Sequence, residues 1–277
     1  MKKIAFLGYD FFYSCFETLV ENNYTIQWLY TIETDNVVNF NNKIVAKAKE
    51  IGAEISFNKI TKNEIKKLKE SGCDLIISAA YPYRLPVENN SPYMVNIHPS
   101  LLPIGRGPWP LPIVILKGLS ESGVTIHKVA EEFDAGDILI QKSFPILKDE
   151  NLETLSVRSQ IVARDLLIEL LSNFDDKWKN CKPQGSGEYW PMPTFDDRTL
   201  NWDLPVAEID RVARAFGKFD SLATFDSKDW VIQDITVWEE KHNFETGRLI
   251  HQTNREVLIT ALDGYVCVRF FSIDPDF

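Results

Sequence analysis

The chain has 277 residues, 44% hydrophobic and 25% charged, which is typical of a globular protein with one large domain or with a large and a small one. It carries 40 acidic and 30 basic residues, and the net charge of -10 makes nucleic acid and anionic membranes unlikely partners. The 4 cysteines lie far apart without zinc-ligand spacing, so we expect free thiols, no metal and a cytoplasmic location. No apolar run approaches the roughly 20 residues that cross a bilayer.

Short apolar runs alternate with amphipathic segments in the first part of the chain, which predicts an α/β domain with a Rossmann-like, mostly parallel sheet. The opening KIAFLG is expected to be a strand and not a signal peptide, because Gly8 and the residues after it interrupt the apolar run. The segment 151–174 is predicted to form a long helix that packs across the sheet and closes this domain, 1–182. Further strands are predicted in YTIQWLYT, AEISF, CDLIISAA, YMVNIHPS, SGVTIHKVA and GDILIQKSFPI.

A stretch rich in Pro, Gly, Ser and Asp follows, and it predicts a linker over 183–200. Beyond it we expect a small β-rich C-terminal domain, 201–277, that begins with the helix VAEIDRVARAFG. Its last strand, which contains VCVRFFSI, could supply the interface of a homodimer. The predicted strands are SLATF, WVIQDITVWEE, GRLIHQTN, EVLITAL and GYVCVRFFSI.

Polar side chains lie at the ends of two predicted strands. Asn96 and His98 are two apart in NIHPS, so both project from one face of a strand that a proline ends. His127 lies on the next strand, which leads into a loop that ends at Asp134. An isolated Asn-x-His is more often a core histidine beside an amide, and aspartates in turns are commonly caps. If the loop folds over Asn96 and His98, the group suits acid–base chemistry on a carbonyl.

NIHPSLLPIGRGPWP followed by GVTIHKVAEEFDAGDIL resembles the signature of the formyltransferases that use 10-formyltetrahydrofolate. The resemblance implies a catalytic trio of Asn96, His98 and Asp134, with the aspartate seven residues after a second histidine, here His127. Asn96 would donate a hydrogen bond to the formyl oxygen. His98 would accept a proton or help to hold the charged oxygen, and Asp134 would orient His98 or a water.

The resemblance also implies that the cosubstrate 10-formyltetrahydrofolate binds between two loops, largely through backbone groups. The loops are YPYRLP and AEEFD in this chain. Pro82 stands where many relatives have glycine, which removes one backbone donor. The residues expected to contact the folate are Tyr83, Arg84, Leu85, Ala130, Glu131 and Asp134.

Family members formylate glycinamide ribonucleotide, methionyl-tRNA or the amine of a nucleotide-linked sugar. The C-terminal domain argues against the first substrate, and its 14 acidic and 8 basic residues, a net charge of -6, argue against the second. We therefore predict a sugar N-formyltransferase for a UDP- or dTDP-linked amino-dideoxyhexose used in bacterial surface glycans such as lipopolysaccharide O-antigen, capsule or nonulosonic acid. The alternatives are a methionyl-tRNA formyltransferase and a formyltetrahydrofolate hydrolase that releases formate without an amine.

Two residues of the proline-rich loop are candidates for contact with this nucleotide sugar. Arg106 could meet the diphosphate, or it could pin the loop by bonding backbone carbonyls. Trp109 could stack on a base or sugar, although large aromatic side chains more often serve packing.

Overall fold

The computed structural model describes residues 2–35, 39–88, 90–225, 227–232, 234–269 and 272–273. The chain divides into two compact units, each assembled from separate stretches of sequence. The first unit consists of Met1–Pro108, Glu121–Pro145 and Val157–Trp190. The second unit consists of Trp109–Ser120, Ile146–Ser156 and Pro191–Phe277.

Most strands of the first unit form one sheet. The strands are β1 (Lys3–Gly8), β2 (Thr25–Tyr30), β3 (Glu54–Ser56), β4 (Leu75–Ala79), β5 (Tyr93–His98), β6 (Ile104–Arg106), β7 (Glu121–Lys128), β8 (Ile138–Pro145) and β9 (Glu188–Tyr189). The central sheet has the spatial order β3-β2-β1-β4-β5-β7-β8, and β6 pairs with β9 apart from it. Pairing is parallel from β3 to β5 and antiparallel from β5 to β8. The predicted Rossmann-like, mostly parallel sheet is confirmed.

Both faces of this sheet are buried, which explains why its strands are apolar runs. Alternate residues of β1 face opposite sides, because side chains along a strand have a period of two. Ile4 and Phe6 join a core cluster with Phe16, Leu75 and other residues on one side. The intervening residues of β1 join a second core cluster on the other side.

The first three helices connect strands of the parallel part of the central sheet. The helices are α1 (Tyr13–Glu21), α2 (Asn42–Glu50), α3 (Lys62–Glu70), α4 (Pro110–Leu116), α5 (Leu152–Ser172), α6 (Phe174–Lys179), α7 (Phe195–Arg198) and α8 (Val206–Asp220). The start of α3 has a capping box, in which Thr61 accepts from the Glu64 N–H and Glu64 accepts from the Thr61 N–H. Across the part of the chain that is described, no helix has the length and apolarity needed to cross a membrane.

The second unit contains two small antiparallel sheets and the helix α8. Its strands are β10 (Ser221–Phe225), β11 (Lys228–Ile232), β12 (Asp234–Glu239), β13 (Leu249–Gln252), β14 (Glu256–Thr260), β15 (Gly264–Arg269) and β16 (Ser272–Ile273). The sheet orders are β10-β11-β16 and β12-β15-β14-β13. The core of this unit includes Ile209 of α8 with Ile259, Val266 and Val268 of the larger sheet. The predicted β-rich C-terminal part is confirmed.

One predicted strand-like segment of this unit contains two strands. WVIQDITVWEE was expected to be a single strand, whereas β11 and β12 pair in different sheets. Residue 233, between the two strands, lies outside the described residues. The segment VCVRFFSI, predicted to supply the interface of a homodimer, includes residues 270 and 271, which lie outside the described residues, so the homodimer stays a prediction.

Candidate active site

Two antiparallel neighbours in the central sheet, β5 and β7, bring polar side chains to one face. Their register sets Asn96 opposite His127 and His98 opposite Thr125. Directly opposed residues share a face, so His127 adds a second imidazole beside the predicted Asn96 and His98. The two histidine rings have centroids 6.4 Å apart, and their side chains are almost fully buried.

The loop between β7 and β8 carries Asp134 into this group. Its Oδ1 lies 3.5 Å from His98 Nδ1 and 3.5 Å from His127 Nε2, and it accepts a hydrogen bond from Asn96 Nδ2 at 3.2 Å. Its Oδ2 accepts from the backbone N–H of Gly107 at 3.0 Å. Asp134 has a φ of 53°, a left-handed conformation that is uncommon for a residue with a side chain. The fold therefore brings the other two predicted catalytic residues, Asn96 and His98, to the Asp134 carboxylate.

Backbone carbonyls decide which nitrogen of each imidazole carries the proton. His98 Nε2 lies 2.7 Å from the carbonyl oxygen of Gly105, and His127 Nδ1 lies 2.7 Å from that of the next residue. Because a carbonyl oxygen only accepts, these nitrogens carry protons in the neutral rings. His98 Nδ1 is then unprotonated and faces the carboxylate, and His127 Nε2 accepts from Asn96 Nδ2 at 3.2 Å.

Burial and neighbouring charges shift the pKa values of His98 and Asp134 in opposite directions. Burial lowers the pKa of His98 below its ordinary 6.5, and the negative charge of Asp134 opposes this shift. Burial by itself would raise the pKa of Asp134, but the two imidazoles and the Gly107 N–H outweigh it and lower that pKa to about 2. At neutral pH the site therefore holds an ionised carboxylate beside a neutral His98 that can accept a proton.

Thr125, which shares the strand face of His127, holds the turn that follows β5. Its hydroxyl donates to the carbonyl oxygen of Ser100 at 2.7 Å and accepts from the backbone N–H of Leu102 at 3.2 Å and from Gln141 Nε2 at 2.6 Å. These bonds tie the turn to β7 and β8. The proline-rich loop after His98 is thus fixed to β7, which presents His127, and to β8.

Two glycines allow the loops around Asp134 to approach other backbone closely. A Cβ atom at Gly107, where φ is 131°, would lie 2.0 Å from the Trp190 carbonyl oxygen. A Cβ atom at Gly136 would lie 1.8 Å from the Lys128 carbonyl oxygen. Both distances are far inside contact range, so these positions require glycine.

A cleft of about 370 Å³ is lined by the two predicted ligand loops, one of which carries Asp134, together with one residue of the proline-rich loop and one of β9. Arg84 donates to the backbone carbonyl oxygen of Glu131, which joins the two loops expected to hold the folate. Phe133 and Tyr189 are 56% and 59% exposed. The residues that line the cleft are Arg84, Arg106, Glu131, Glu132, Phe133 and Tyr189.

The other predicted ligand residues have different surroundings. Tyr83 packs edge-on against Tyr81, and Leu85 is buried in a core cluster, so Leu85 could offer a ligand only its backbone. Ala130 is half-buried. Trp109 belongs to the second unit, where its ring makes an edge contact with Phe216 at a centroid distance of 5.9 Å.

Two residues of the polar network were not among the predicted site residues. His127 was recognised only as a spacing marker, although the β5–β7 register places it opposite Asn96. Gln184 bonds Arg106 and the backbone of Asp134, but it lies in an irregular segment whose sequence has no periodic pattern. Among the described residues, no group of three or more His, Cys, Asp or Glu side chains is arranged to hold a metal ion.

Two family models match most of the chain. The formyl transferase model matches residues 36–171, and the model of the formyl transferase C-terminal domain matches residues 194–273. In sequence, the chain is 30% identical to the methionyl-tRNA formyltransferase of Lactobacillus johnsonii over 76% of this chain and 69% of that protein. It is 28% identical to the methionyl-tRNA formyltransferase of Enterococcus faecalis over 96% of this chain and 89% of that protein.

Two solved structures share the fold. HypX from Aquifex aeolicus superposes with a TM-score of 0.73 at 19% identity, covering 96% of this chain and 45% of HypX, so the chain spans less than half of that protein. The N-formyltransferase from Helicobacter canadensis, solved with folinic acid and dTDP-3-aminofucose, superposes with a TM-score of 0.72 at 20% identity. The alignment with this second structure covers 97% of this chain and 99% of that chain.

A Rossmann-like sheet presents an amide, two imidazoles and a carboxylate beside a cleft, an arrangement that suits acyl-transfer chemistry. The chain belongs to the formyltransferase family, as its sequence motifs predicted, and it is a formyl-transferring enzyme.

Proposed function

We propose that this chain is a sugar N-formyltransferase that moves the formyl group of 10-formyltetrahydrofolate to the amine of a UDP- or dTDP-linked amino-dideoxyhexose. A formylated sugar of this kind would be a building block for bacterial surface glycans such as O-antigen. The observation that carries the choice of acceptor is the charge of residues 201–277, with 14 acidic and 8 basic side chains. A domain that grips an RNA acceptor stem is expected to be basic, because phosphate contacts dominate its affinity. The near-complete mutual coverage with the Helicobacter canadensis enzyme supports the same choice.

Asn96 supplies the hydrogen-bond donor for the formyl oxygen in this proposal. Negative charge grows on that oxygen as the amine attacks the formyl carbon, so a fixed donor lowers the barrier. The amide of Asn96 donates within the site to His127 and Asp134, at 3.2 Å each. Both bonds are at the long end of the normal range, so the formyl oxygen can compete for one of these donors.

His98 accepts the proton that the attacking amine loses and can return it to N10 of the folate, whose bond to the formyl carbon breaks as the new amide forms. Its Nδ1 is the unprotonated nitrogen, because Nε2 is engaged by the Gly105 carbonyl oxygen at 2.7 Å. When Nδ1 gains a proton the ring becomes positive, and the Asp134 carboxylate 3.5 Å away stabilises that charge. Asp134 is held in its ionised form by the same neighbours, so it acts as a fixed negative charge and not as the proton acceptor.

The cleft beside Asp134 fits a folate in its chemistry. Phe133 and Tyr189 present aromatic side chains suited to a flat ring, and Arg84 presents a guanidinium group suited to an anionic group of the folate. The folate supplies an electrophilic formyl group when it is bound. Arg84 and the backbone of residues 130–134 would hold it, while Arg106 remains our candidate for the acceptor's diphosphate.

Methionyl-tRNA formylation is a second candidate, because the sequence relatives described above carry that activity in their names. Mass spectrometry distinguishes the two acceptors. The protein is incubated with 10-formyltetrahydrofolate and either a panel of UDP- and dTDP-amino sugars or initiator methionyl-tRNA. We expect one formyl group to be added to at least one sugar and none to the tRNA.

Formylation of the tRNA with no sugar product would refute the proposed acceptor. Formate release in a reaction without any amine tests the hydrolase alternative, and we expect it to be far slower than transfer. The Asn96→Ala variant is the control, because it keeps the cleft and removes the proposed donor.

A further inference from the structure

The side chain of Gln184 joins three loops of the first unit. Its Nε2 donates to the carbonyl oxygens of Asp134 at 2.8 Å and Gly136 at 2.6 Å. Its Oε1 accepts from Arg106 Nε at 3.1 Å and from Arg106 Nη2 at 2.8 Å. A guanidinium only donates and a carbonyl only accepts, so these partners fix the orientation of the amide. All four hydrogen-bonding positions of the Gln184 amide are used by the loops around the site.

Arg106 and Gly107 complete a closed ring of bonds around Asp134. Gly107 holds the Asp134 carboxylate through its backbone N–H at 3.0 Å, while Gln184 holds the Asp134 backbone. Arg106, the residue before Gly107, binds Gln184 and also donates to the carbonyl oxygen of Gly185 at 3.2 Å. The left-handed φ of Asp134 is a conformation that persists where surrounding bonds enforce it, and this ring supplies such bonds.

Backbone pairing on both sides delivers Gln184 to this position. Lys182 exchanges two backbone hydrogen bonds with Ile138, both of 2.8 Å. After Gln184, strand β9 pairs with β6, and the Trp190 N–H donates to the Arg106 carbonyl oxygen at 2.7 Å. The segment is therefore anchored by its backbone, so a change of the Gln184 side chain leaves the segment in place.

We propose that Gln184, braced by Arg106, is a positioning residue that holds the Asp134 carboxylate against His98. The inference rests on the role proposed above for Asp134 in formyl transfer. Without the Gln184 donors the loop at Asp134 relaxes, and the carboxylate withdraws from His98 Nδ1. Turnover then falls more than substrate binding, because the carboxylate is needed when the imidazole becomes charged.

The bonds by which Gln184 and Arg106 hold the loop at Asp134 are called the brace. Steady-state kinetics of two Gln184 variants test it. Gln184→Met keeps the length of the side chain and removes its hydrogen-bond donors. Gln184→Glu keeps an oxygen that accepts from Arg106, but its second carboxylate oxygen faces the carbonyl oxygens of Asp134 and Gly136 and repels them. We expect kcat to fall ~10²-fold in both, with KM for the folate within about threefold of the parent. Gln252→Met, at an exposed position of β13, is the matched control and keeps the parent kcat. A parent-like kcat in Gln184→Met would overturn the proposal.

A double-mutant cycle tests whether Gln184 acts through Asp134. We expect Asp134→Asn alone to lower kcat, and the double variant with Gln184→Met to lose little more than Asp134→Asn. Independent losses that multiply would show that Gln184 acts by another route and would overturn the inference.

Histidine NMR gives a readout that needs no acceptor. The chain has 4 histidines, so their ring signals can be assigned by single substitutions. We expect the His98 titration to move to lower pH in Gln184→Met, because the stabilising carboxylate withdraws. An unchanged His98 titration would refute the brace. If the His98 titration shifts in Gln184→Met while Asp134→Asn keeps the parent kcat, the brace is supported and the proposed role of Asp134 in formyl transfer is refuted.

Discussion

The Asn96 amide is an uncharged hydrogen-bond donor that lies between an imidazole and a carboxylate. Its replacement therefore leaves the formal charge of the site unchanged. We predict that Asn96→Ala lowers kcat ~10² to 10³-fold with little change in KM for either substrate. The reason is that the bond to the formyl oxygen strengthens only as charge develops there. Steady-state kinetics with the best acceptor measure this effect. Asn42→Ala, at an exposed position of α2, is the control and should retain the parent rate.

The protonation of His98 predicts the pH dependence of the rate. His98 accepts a proton only when neutral, and burial lowers its pKa below 6.5, so kcat should rise with pH along a limb centred below 6.5 and then level off. In Asp134→Asn the imidazolium loses its stabilising charge, so the pKa of His98 falls further. We expect the limb to move to lower pH while the plateau rate also falls. A limb that moves to higher pH would contradict this assignment of the charges.

The loop between β7 and β8 shows how an element without regular structure is held in one conformation. Gly136 approaches the Lys128 carbonyl oxygen so closely that a Cβ atom there would lie 1.8 Å away. We predict that Gly136→Ala displaces the loop, lowers kcat at least about tenfold and lowers the melting temperature. Gly185→Ala is the matched control, because a Cβ atom at Gly185 meets nothing within 4 Å. Equal activity in the two variants would show that loop position does not limit the rate.

The helix α3 is a stability element that lies outside the network around Asp134. Its capping box joins Thr61 and Glu64 through reciprocal backbone bonds. We predict that Thr61→Ala lowers the free energy of unfolding by about 1 kcal/mol, because one N–H at the helix start loses its partner. Chemical denaturation measures this change, and kcat should stay at the parent value. Thr61→Ser keeps the hydroxyl and should be close to the parent in stability.

Charge acts at the scale of the whole molecule. The protein has a net charge of -10, and the negative excess extends through residues 201–277. We predict that the protein binds initiator methionyl-tRNA no more tightly than the non-specific range of about 10⁻⁴ to 10⁻⁶ M at physiological salt. Fluorescence anisotropy with labelled tRNA measures the affinity, and a basic tRNA-binding protein is the positive control. Nanomolar binding with a steep salt dependence would favour the tRNA acceptor.

The sequence determined the features that depend on near neighbours along the chain. Apolar runs and helical spacing predicted the α/β sheet and the β-rich C-terminal part, because side-chain periodicity follows from local backbone geometry. The same local logic placed Asn96 and His98 on one face of a strand. The seven-residue spacing of His127 and Asp134 identified the family through its resemblance. The assignment of β11 and β12 to different sheets was not predicted, because strand-like composition does not specify pairing partners.

Only the tertiary structure decided how these features meet. The β5–β7 register set His127 opposite Asn96, and the loop after β7 carried Asp134 to both imidazoles. Gln184 reached the backbone of Asp134 from 50 residues further along the chain. The physical reason is that such bonds join residues far apart in sequence, so their geometry depends on which strands pair and in which register. A local pattern specifies the side chains that a strand presents, whereas the packed sheet specifies the partners they find.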